Sequence, residues 1–195
     1  MAATKVKDVL PIEGFGSAKD WAGWLARNHL DSKGVWLRFF KKGSGVSTVS
    51  YAEALDEALC CGWIDGQVKK FDENSWLQKF TPRRARSVWS KRNVANAMRL
   101  IEAGRMTPAG LKQIDAAKKD GRWESAYDSP SEMKVPTDFL KALAKNRKAN
   151  AFFKSLNRAN LYAIAWRLQT ARTPETRERR KKAILDMLSK GEKFH

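Results

Sequence analysis

At Thr81-Pro82 the hydrophobic pattern of this 195-residue chain changes its period, and no other feature constrains the fold as much. Upstream, apolar runs of strand length alternate with stripes at helical spacing. Downstream, helical spacing alone recurs to the end. The pattern predicts an α+β part over residues 1–80, with a small antiparallel sheet and helices. An all-helical part over residues 81–195 follows, packed on the first. At about 100–200 residues per domain the length suits one domain or two small ones, with a core that needs no disulfide or metal staple.

In the upstream part, Ser17 and Asp20 open a helix whose face carries Trp21, Trp24, Leu25 and Asn28. Gly34 ends that pattern, and Val35-Trp36-Leu37-Arg38-Phe39-Phe40 reads as a strand rich in β-branched and aromatic residues. Ser50 and Glu53 form a capping box ahead of Tyr51, Ala54, Leu55, Ala58 and Leu59, and Gly62 stops that second helix. Gln67–Phe71 and Trp76–Phe80, joined by Asp72-Glu73-Asn74-Ser75, read as a β-hairpin.

In the downstream part, Val94, Ala97, Met98 and Ile101 form an apolar stripe that ends at Gly104. Thr107-Pro108 and Thr173-Pro174 each place a capping hydroxyl before a proline at the first helical position, where its missing N–H costs nothing. Leu111 and Ile114 mark the apolar side of the first of these helices, and Ala183, Ile184, Met187 and Leu188 that of the second. Phe139, Leu140 and Leu143, then Phe152, Phe153 and Leu156, then Leu161, Ile164, Ala165 and Leu168 predict three helices between them, with Asn146 and Asn157 as caps. Tyr127–Pro136, with two prolines, reads as a linker.

Charge divides at the same place. Residues 1–80 hold 11 basic and 10 acidic side chains, whereas residues 81–195 hold 27 and 11, so nearly all of the net +17 lies in the second part. An excess of this size concentrates polyanions and speeds their encounter, which makes nucleic acid a natural partner class. An acidic protein or an anionic membrane surface is the alternative, and a solvated helical surface is the plainer one. A 43% hydrophobic, 30% charged composition excludes a disordered tail and a membrane protein, so a soluble globule is expected. The N-terminus shows no apolar export segment, which points to the cytoplasm.

The only cysteines, Cys60 and Cys61, are adjacent, which disfavours a disulfide between them and suits two small thiols at a helix end. The two histidines, His29 and His195, lie far from them, so neither a metal site nor a cofactor is expected.

Thr81 to Asn93 is the most informative stretch. Arg83, Arg84, Arg86, Lys91 and Arg92 surround Trp89 and Ser90 at a strand-to-helix junction. Arginine forks bond two phosphate oxygens at once, helix-start N–H groups add partial positive charge, and an exposed indole stacks on a base. The other reading buries Trp89 and pairs the arginines with acids of the first part. Trp63, Asp65 and Gly66 form a candidate cleft around a single carboxylate, the site of a small-molecule enzyme in the least favoured reading; a turn-forming or arginine-pairing aspartate explains it better. No catalytic set is recognisable, so binding is favoured over enzymatic activity. Of the eight tryptophans, Trp21, Trp24, Trp36, Trp76 and Trp166 fit core patterns, which leaves Trp63, Trp89 and Trp123 as candidates for exposure.

Tyr51-Ala52-Glu53-Ala54, Cys61-Gly62-Trp63-Ile64-Asp65-Gly66, Phe80-Thr81-Pro82-Arg83-Arg84 and Trp89-Ser90-Lys91, in that order, resemble the YdeI/OmpD-associated, bacteriocin-protection family. The likeness continues through Gly104–Gly110, Asp120-Gly121-Arg122-Trp123, Ser155-Leu156-Asn157-Arg158 and Gly191–His195, covering nearly the whole chain. The resemblance implies a bacterial stress-response protein linked to tolerance of bacteriocins or antimicrobial peptides, with no chemistry to carry over. Its first part is similar to the YjbR/CyaY group, small α/β folds with an antiparallel sheet, some of them proposed DNA binders. An iron site of that group would need clustered exposed acids, which the near-balanced first part lacks.

Overall fold

Residues 10–129 and 131–195 are described by the computed structural model. Their contacts divide the chain into two compact units, Met1–Ser87 with Asn93–Gly121, and Val88–Arg92 with Arg122–His195. The division therefore does not fall at residue 80, because residues 93–121 group with the sheet. The elements of the first unit run β1 (Ile12–Gly14), α1 (Ala18–Asn28), β2 (Val35–Phe40), α2 (Tyr51–Cys60), β3 (Trp63–Lys70), β4 (Ser75–Pro82), α3 (Lys91–Glu102) and α4 (Pro108–Lys119), the first two residues of α3 counting with the second unit.

Strict alternation along β2 sets up the first unit. Val35, Leu37 and Phe39 are buried while Trp36, Arg38 and Phe40 are half-buried, as period-two side chains on opposite faces require. Antiparallel register places Val35 beside Phe80, Leu37 beside Gln78 and Phe39 beside Trp76 on the inner face. Helix α1 meets that face through Trp21, whose ring lies 5.6 Å from Phe80, and α2 through Tyr51, 6.5 Å from Phe39. Trp21 and Trp24 stack at 5.3 Å, and Trp63 meets Trp24 edge-on at 5.8 Å. Each such side chain contributes about 1.5–3 kcal/mol through burial. The indole N–H of Trp21 donates to the Ala54 carbonyl at 3.0 Å, so the apolar body is buried without an orphaned donor.

The sheet has the order β1-β2-β4-β3. The hairpin of β3 and β4 and the β2–β4 pair are antiparallel, but β1 pairs parallel with β2, so the sheet is mixed rather than antiparallel. Parallel neighbours need a crossover, and α1 supplies it. The three-residue β1 leaves too short a pattern to be read from sequence.

The caps follow the sequence closely. Ser17 accepts from Asp20 N, Ser50 and Glu53 complete their box, and Thr107 accepts from Gly110 N. Helices α3 and α4 join the first unit through α2: Arg99 bonds both Asp56 oxygens at 2.7 Å, Arg105 meets Glu57 at 2.6 Å, and the Thr107 hydroxyl donates to the Cys60 carbonyl at 2.7 Å. Those docking contacts move residues 93–121 out of the expected helical part. They also turn α3, whose buried residues are Asn93, Ala97 and Leu100, while Met98 is exposed. In α4 Gly110, Ile114 and Ala117 are buried and Leu111 is exposed.

The second unit is helical: α5 (Thr137–Ala144), α6 (Arg147–Phe153), α7 (Arg158–Gln169) and α8 (Pro174–Ser189). Phe139, Leu143, Ala149, Ile164, Leu168, Ile184 and Leu188 form its core, while Leu140 is exposed. Asn146, Asn157 and Thr173 cap α6, α7 and α8 as the sequence indicates. This unit holds 19 Lys and Arg against 8 Asp and Glu, a net charge of +11.

Candidate anion-binding site

The two units share the basic stretch after β4: Arg83, Arg84 and Arg86 belong to the first, and Trp89, Ser90, Lys91 and Arg92 to the second. Arg83 is 6% exposed, and its backbone N–H donates to the Gly62 carbonyl at 3.0 Å, continuing the end of β4. Arg84 and Arg86 are exposed beyond it, in a turn closed by the Ser87 hydroxyl, which accepts from Arg84 N at 3.0 Å. Trp89, in the second unit, is 2% exposed and meets Trp123 edge-on at 4.8 Å. A nucleic-acid base therefore cannot stack on Trp89. Ser90 bridges to Tyr127, which holds the segment by backbone bonds from Tyr127 N to Trp89 O and from Lys91 N to Tyr127 O.

In the first unit Lys33, Lys79, Arg83 and Arg84 line an open concavity of about 430 Å³ with Thr81. Lys79 and Arg83 come from β4 and the residue after it. Lys33 reaches the rim because Gly34 passes close to β4: a Cβ there would lie 2.7 Å from Thr81 Cγ2 and 2.8 Å from the Phe80 carbonyl oxygen. Gly34 also has φ of +140°, which L side chains rarely adopt. No carboxylate lines the concavity among the described residues. Cations gathered at one hollow raise the local concentration of anions.

The second unit has a concavity lined by Lys91, Arg92 and Arg158 with Ser129, Ser131 and Glu132. There Lys91 is paired with Asp128 at 2.6 Å, and Glu132 lines the same hollow. The hydrogen bond from Lys91, followed by that from Gln169, holds the Asp128 carboxyl below the usual carboxylate range. The Glu132 carboxylate accepts from the Ser129 hydroxyl at 2.8 Å. Two of the sequence-predicted cations, Lys91 and Arg92, thus meet a third, Arg158, that the linear pattern did not bring near them.

Trp63, Asp65 and Gly66 are placed by structural bonds. Trp63 is 1% exposed and donates from its indole N–H to the His29 carbonyl at 3.0 Å, so it offers no face to solvent. Asp65 accepts from the Tyr51 hydroxyl at 2.7 Å, and the Gly66 carbonyl accepts from Gln78 Nε2 at 2.9 Å. Asp65 ties the start of α2 to β3 instead of pairing with an arginine. Cys60 is buried at the end of α2, where burial pushes its thiol up to about 11 and leaves it unreactive. Among the described residues no three His, Cys, Asp or Glu side chains gather as metal ligands, and no helix is long and apolar enough to cross a membrane.

Sequence reasoning missed Lys33 and Lys79. Lys79 is one residue of a hairpin strand and Lys33 lies in a loop, and only the pairing of β2 with β4 brings them beside Arg83 and Arg84. The pairing of β2 with β4 was a signal for Lys79 alone, which opposes Trp36.

Residues 132–191 match the family described as bacteriocin-protection, YdeI or OmpD-associated. The search of curated proteins gives no match. The search of solved structures likewise gives none. The first unit is covered more fully: residues 14–113, just over half of the chain, match a domain of unknown function, DUF8412, and the chain belongs to that family.

Proposed function

We propose that the protein binds polyanions, nucleic acid foremost, through phosphate contacts in the concavity of Lys33, Lys79, Arg83 and Arg84. It acts by binding rather than catalysis, as a cytoplasmic protein of the bacteriocin-tolerance kind of bacterial stress response. The observation that carries this reading is the convergence of four cations on one hollow with no carboxylate in its described lining. The net charge of +17 supports it by raising the encounter rate with polyanions. The match of residues 132–191 to a bacteriocin-protection family supports the physiological setting. A likeness of the first unit to the YjbR/CyaY group agrees with α1, β2, α2 and the β3–β4 hairpin, while the parallel β1–β2 pair departs from it.

Fluorescence anisotropy with labelled DNA and RNA across a salt series tests the reading. Affinity is expected to fall with a log–log slope of about −0.9 per duplex phosphate neutralised, or about −0.7 per single-strand phosphate. Replacing Lys79 and Arg84 by alanine together should reduce that slope by about 2. Absence of binding at low salt would refute it. An acidic protein or anionic membrane as the true partner would show instead as binding to polyglutamate or anionic vesicles in preference to nucleic acid.

A further inference from the structure

On the outer face of the sheet, opposite α1 and α2, aromatic and cationic side chains surround the buried Ser75 and Leu77 of β4. Along β2 its outward residues are Trp36, Arg38 and Phe40. The register sets Lys79 of β4 directly beside Trp36, and β3 places Lys69 beside Leu77, the neighbour of Arg38. Lys69 Nζ lies 4.2 Å from the Trp36 ring centre and Lys79 Nζ 5.9 Å from it. The Arg38 guanidinium lies 4.4 Å from the Phe40 ring and 4.6 Å from that of Phe71, and is held in place by Asp72 at 2.6 Å. Lys79 also lines the cationic concavity, so the aromatic face and the anion site are continuous.

We propose that this face is a platform for single-stranded nucleic acid, with one base stacked on Trp36 and the adjoining phosphates held by Lys69, Lys79 and the concavity. The proposal rests on the polyanion reading above and adds the strandedness of the ligand. Stacking on a flat sheet needs unpaired bases, since a duplex hides their faces and presents only grooves and backbone. The lysines do not block the ring. An exposed ammonium–indole contact is worth less than a stacked base on the same ring, and each ammonium displaced from Trp36 is already beside the incoming phosphates. Phe40 and the stacked Arg38 continue the row along the strand at the two-residue step of about 6.8 Å.

The test is competition anisotropy on the full chain with a labelled oligothymidylate, against unlabelled duplex of equal length, polyphosphate and polyglutamate. The single strand should bind at least about tenfold tighter than any competitor, and Trp36→Leu should weaken it about 5- to 150-fold. Trp36→Phe should restore most of the loss, and the salt slope should not change, because no cation is removed. A second readout uses the unaltered protein: photocrosslinking from iodouracil in the strand should label the peptide containing Trp36. Equal competition by duplex, polyphosphate or polyglutamate overturns the platform while leaving salt-dependent binding intact. So does full binding by a folded Trp36→Leu variant, or a crosslink confined to another peptide. Failure to bind any polyanion at low salt overturns both readings.

Discussion

Gly110 lies so close to Cys60 that a Cβ on the glycine would sit 2.3 Å from the Cys60 carbonyl oxygen and 3.0 Å from the carbonyl carbon. The first turn of α4 and the last turn of α2 therefore touch backbone to backbone. The Thr107 hydroxyl donates to the same Cys60 carbonyl, so this one peptide fixes how the start of α4 packs on the end of α2. Backbone cannot yield as a flexible side chain can. Gly110→Ala should destabilise the protein by about 1–3 kcal/mol or more, seen as a lower urea midpoint at unchanged slope. Gly23→Ala is the contrast: it lies within α1, where the new methyl meets only the Arg27 guanidinium at 3.6 Å. That variant should gain about 0.5–1 kcal/mol. Equal effects of the two substitutions would refute the account.

In the second unit Arg177 bonds both oxygens of Asp138, at 2.5 and 2.7 Å, and so links α8 to α5. Chiefly through that hydrogen bond, and against the effect of burial, the Asp138 carboxyl is held at about 2, below its ordinary 3.8. A depressed folded value means that the unfolded chain takes up the proton first on acidification. The stability it contributes is full above about pH 4 and is lost as pH falls towards 2. With 47% of the Asp138 side chain exposed, solvent screening limits the effect to about 1 kcal/mol at most. Urea midpoints at pH 5 and pH 2.5 should therefore fall less in Asp138→Asn than in the unaltered protein. An equal fall in both would show that the pair contributes nothing.

How much could be read in advance depends on the range of the interaction. Ser17, Ser50 with Glu53, Thr107-Pro108, Asn146, Asn157 and Thr173-Pro174 all cap the helices they were expected to cap, because a cap is decided within four residues. Which face of a helix is buried is decided by its neighbours. Met98 and Leu111 are exposed because Arg99, Arg105 and Thr107 fix how α3 and α4 meet α2, and that geometry is set across more than forty residues of chain. The tryptophans show the same limit in reverse. Trp63, at the first residue of β3, and Trp89, in an irregular segment, were candidates for exposure, yet both are buried, whereas Trp36, in a clear strand, lies on the outer face of the sheet. Alternation marks two faces without saying which one a helix covers. The cationic concavity needed still more, since Lys33 and Lys79 join Arg83 and Arg84 only through strand pairing.

Burial of Trp89 carries its own prediction. Trp89→Ala should cost about 3–5 kcal/mol of stability, read as a lower denaturation midpoint. Under conditions where the variant is folded, its affinity for nucleic acid should match that of the unaltered protein, because the indole faces Trp123 and not solvent. A variant of undiminished stability that had lost binding would place Trp89 in the interface after all.

Asn160, buried on α7, gathers the last residues of the chain. Its Oδ1 accepts from Phe194 N at 3.0 Å and from His195 N at 3.1 Å, while its Nδ2 donates to Asn157 Oδ1 at 2.8 Å. The Arg167 guanidinium lies 3.7 Å from the centre of the Phe194 ring and closes the same corner from the next turns of α7. Asn160→Ala removes one acceptor from two backbone N–H groups in a half-buried position, and each group left without its partner costs about 1–3 kcal/mol unless water replaces it. Hydrogen exchange at Phe194 and His195 should then rise steeply, with a loss of about 1–3 kcal/mol in the unfolding of the second unit. Asn160→Asp supplies the acceptor again but sets a carboxylate oxygen against Asn157 Oδ1, so it should restore part of the protection of both amides. If protection were lost equally in the aspartate variant, the acceptor at Oδ1 would not be what holds the segment.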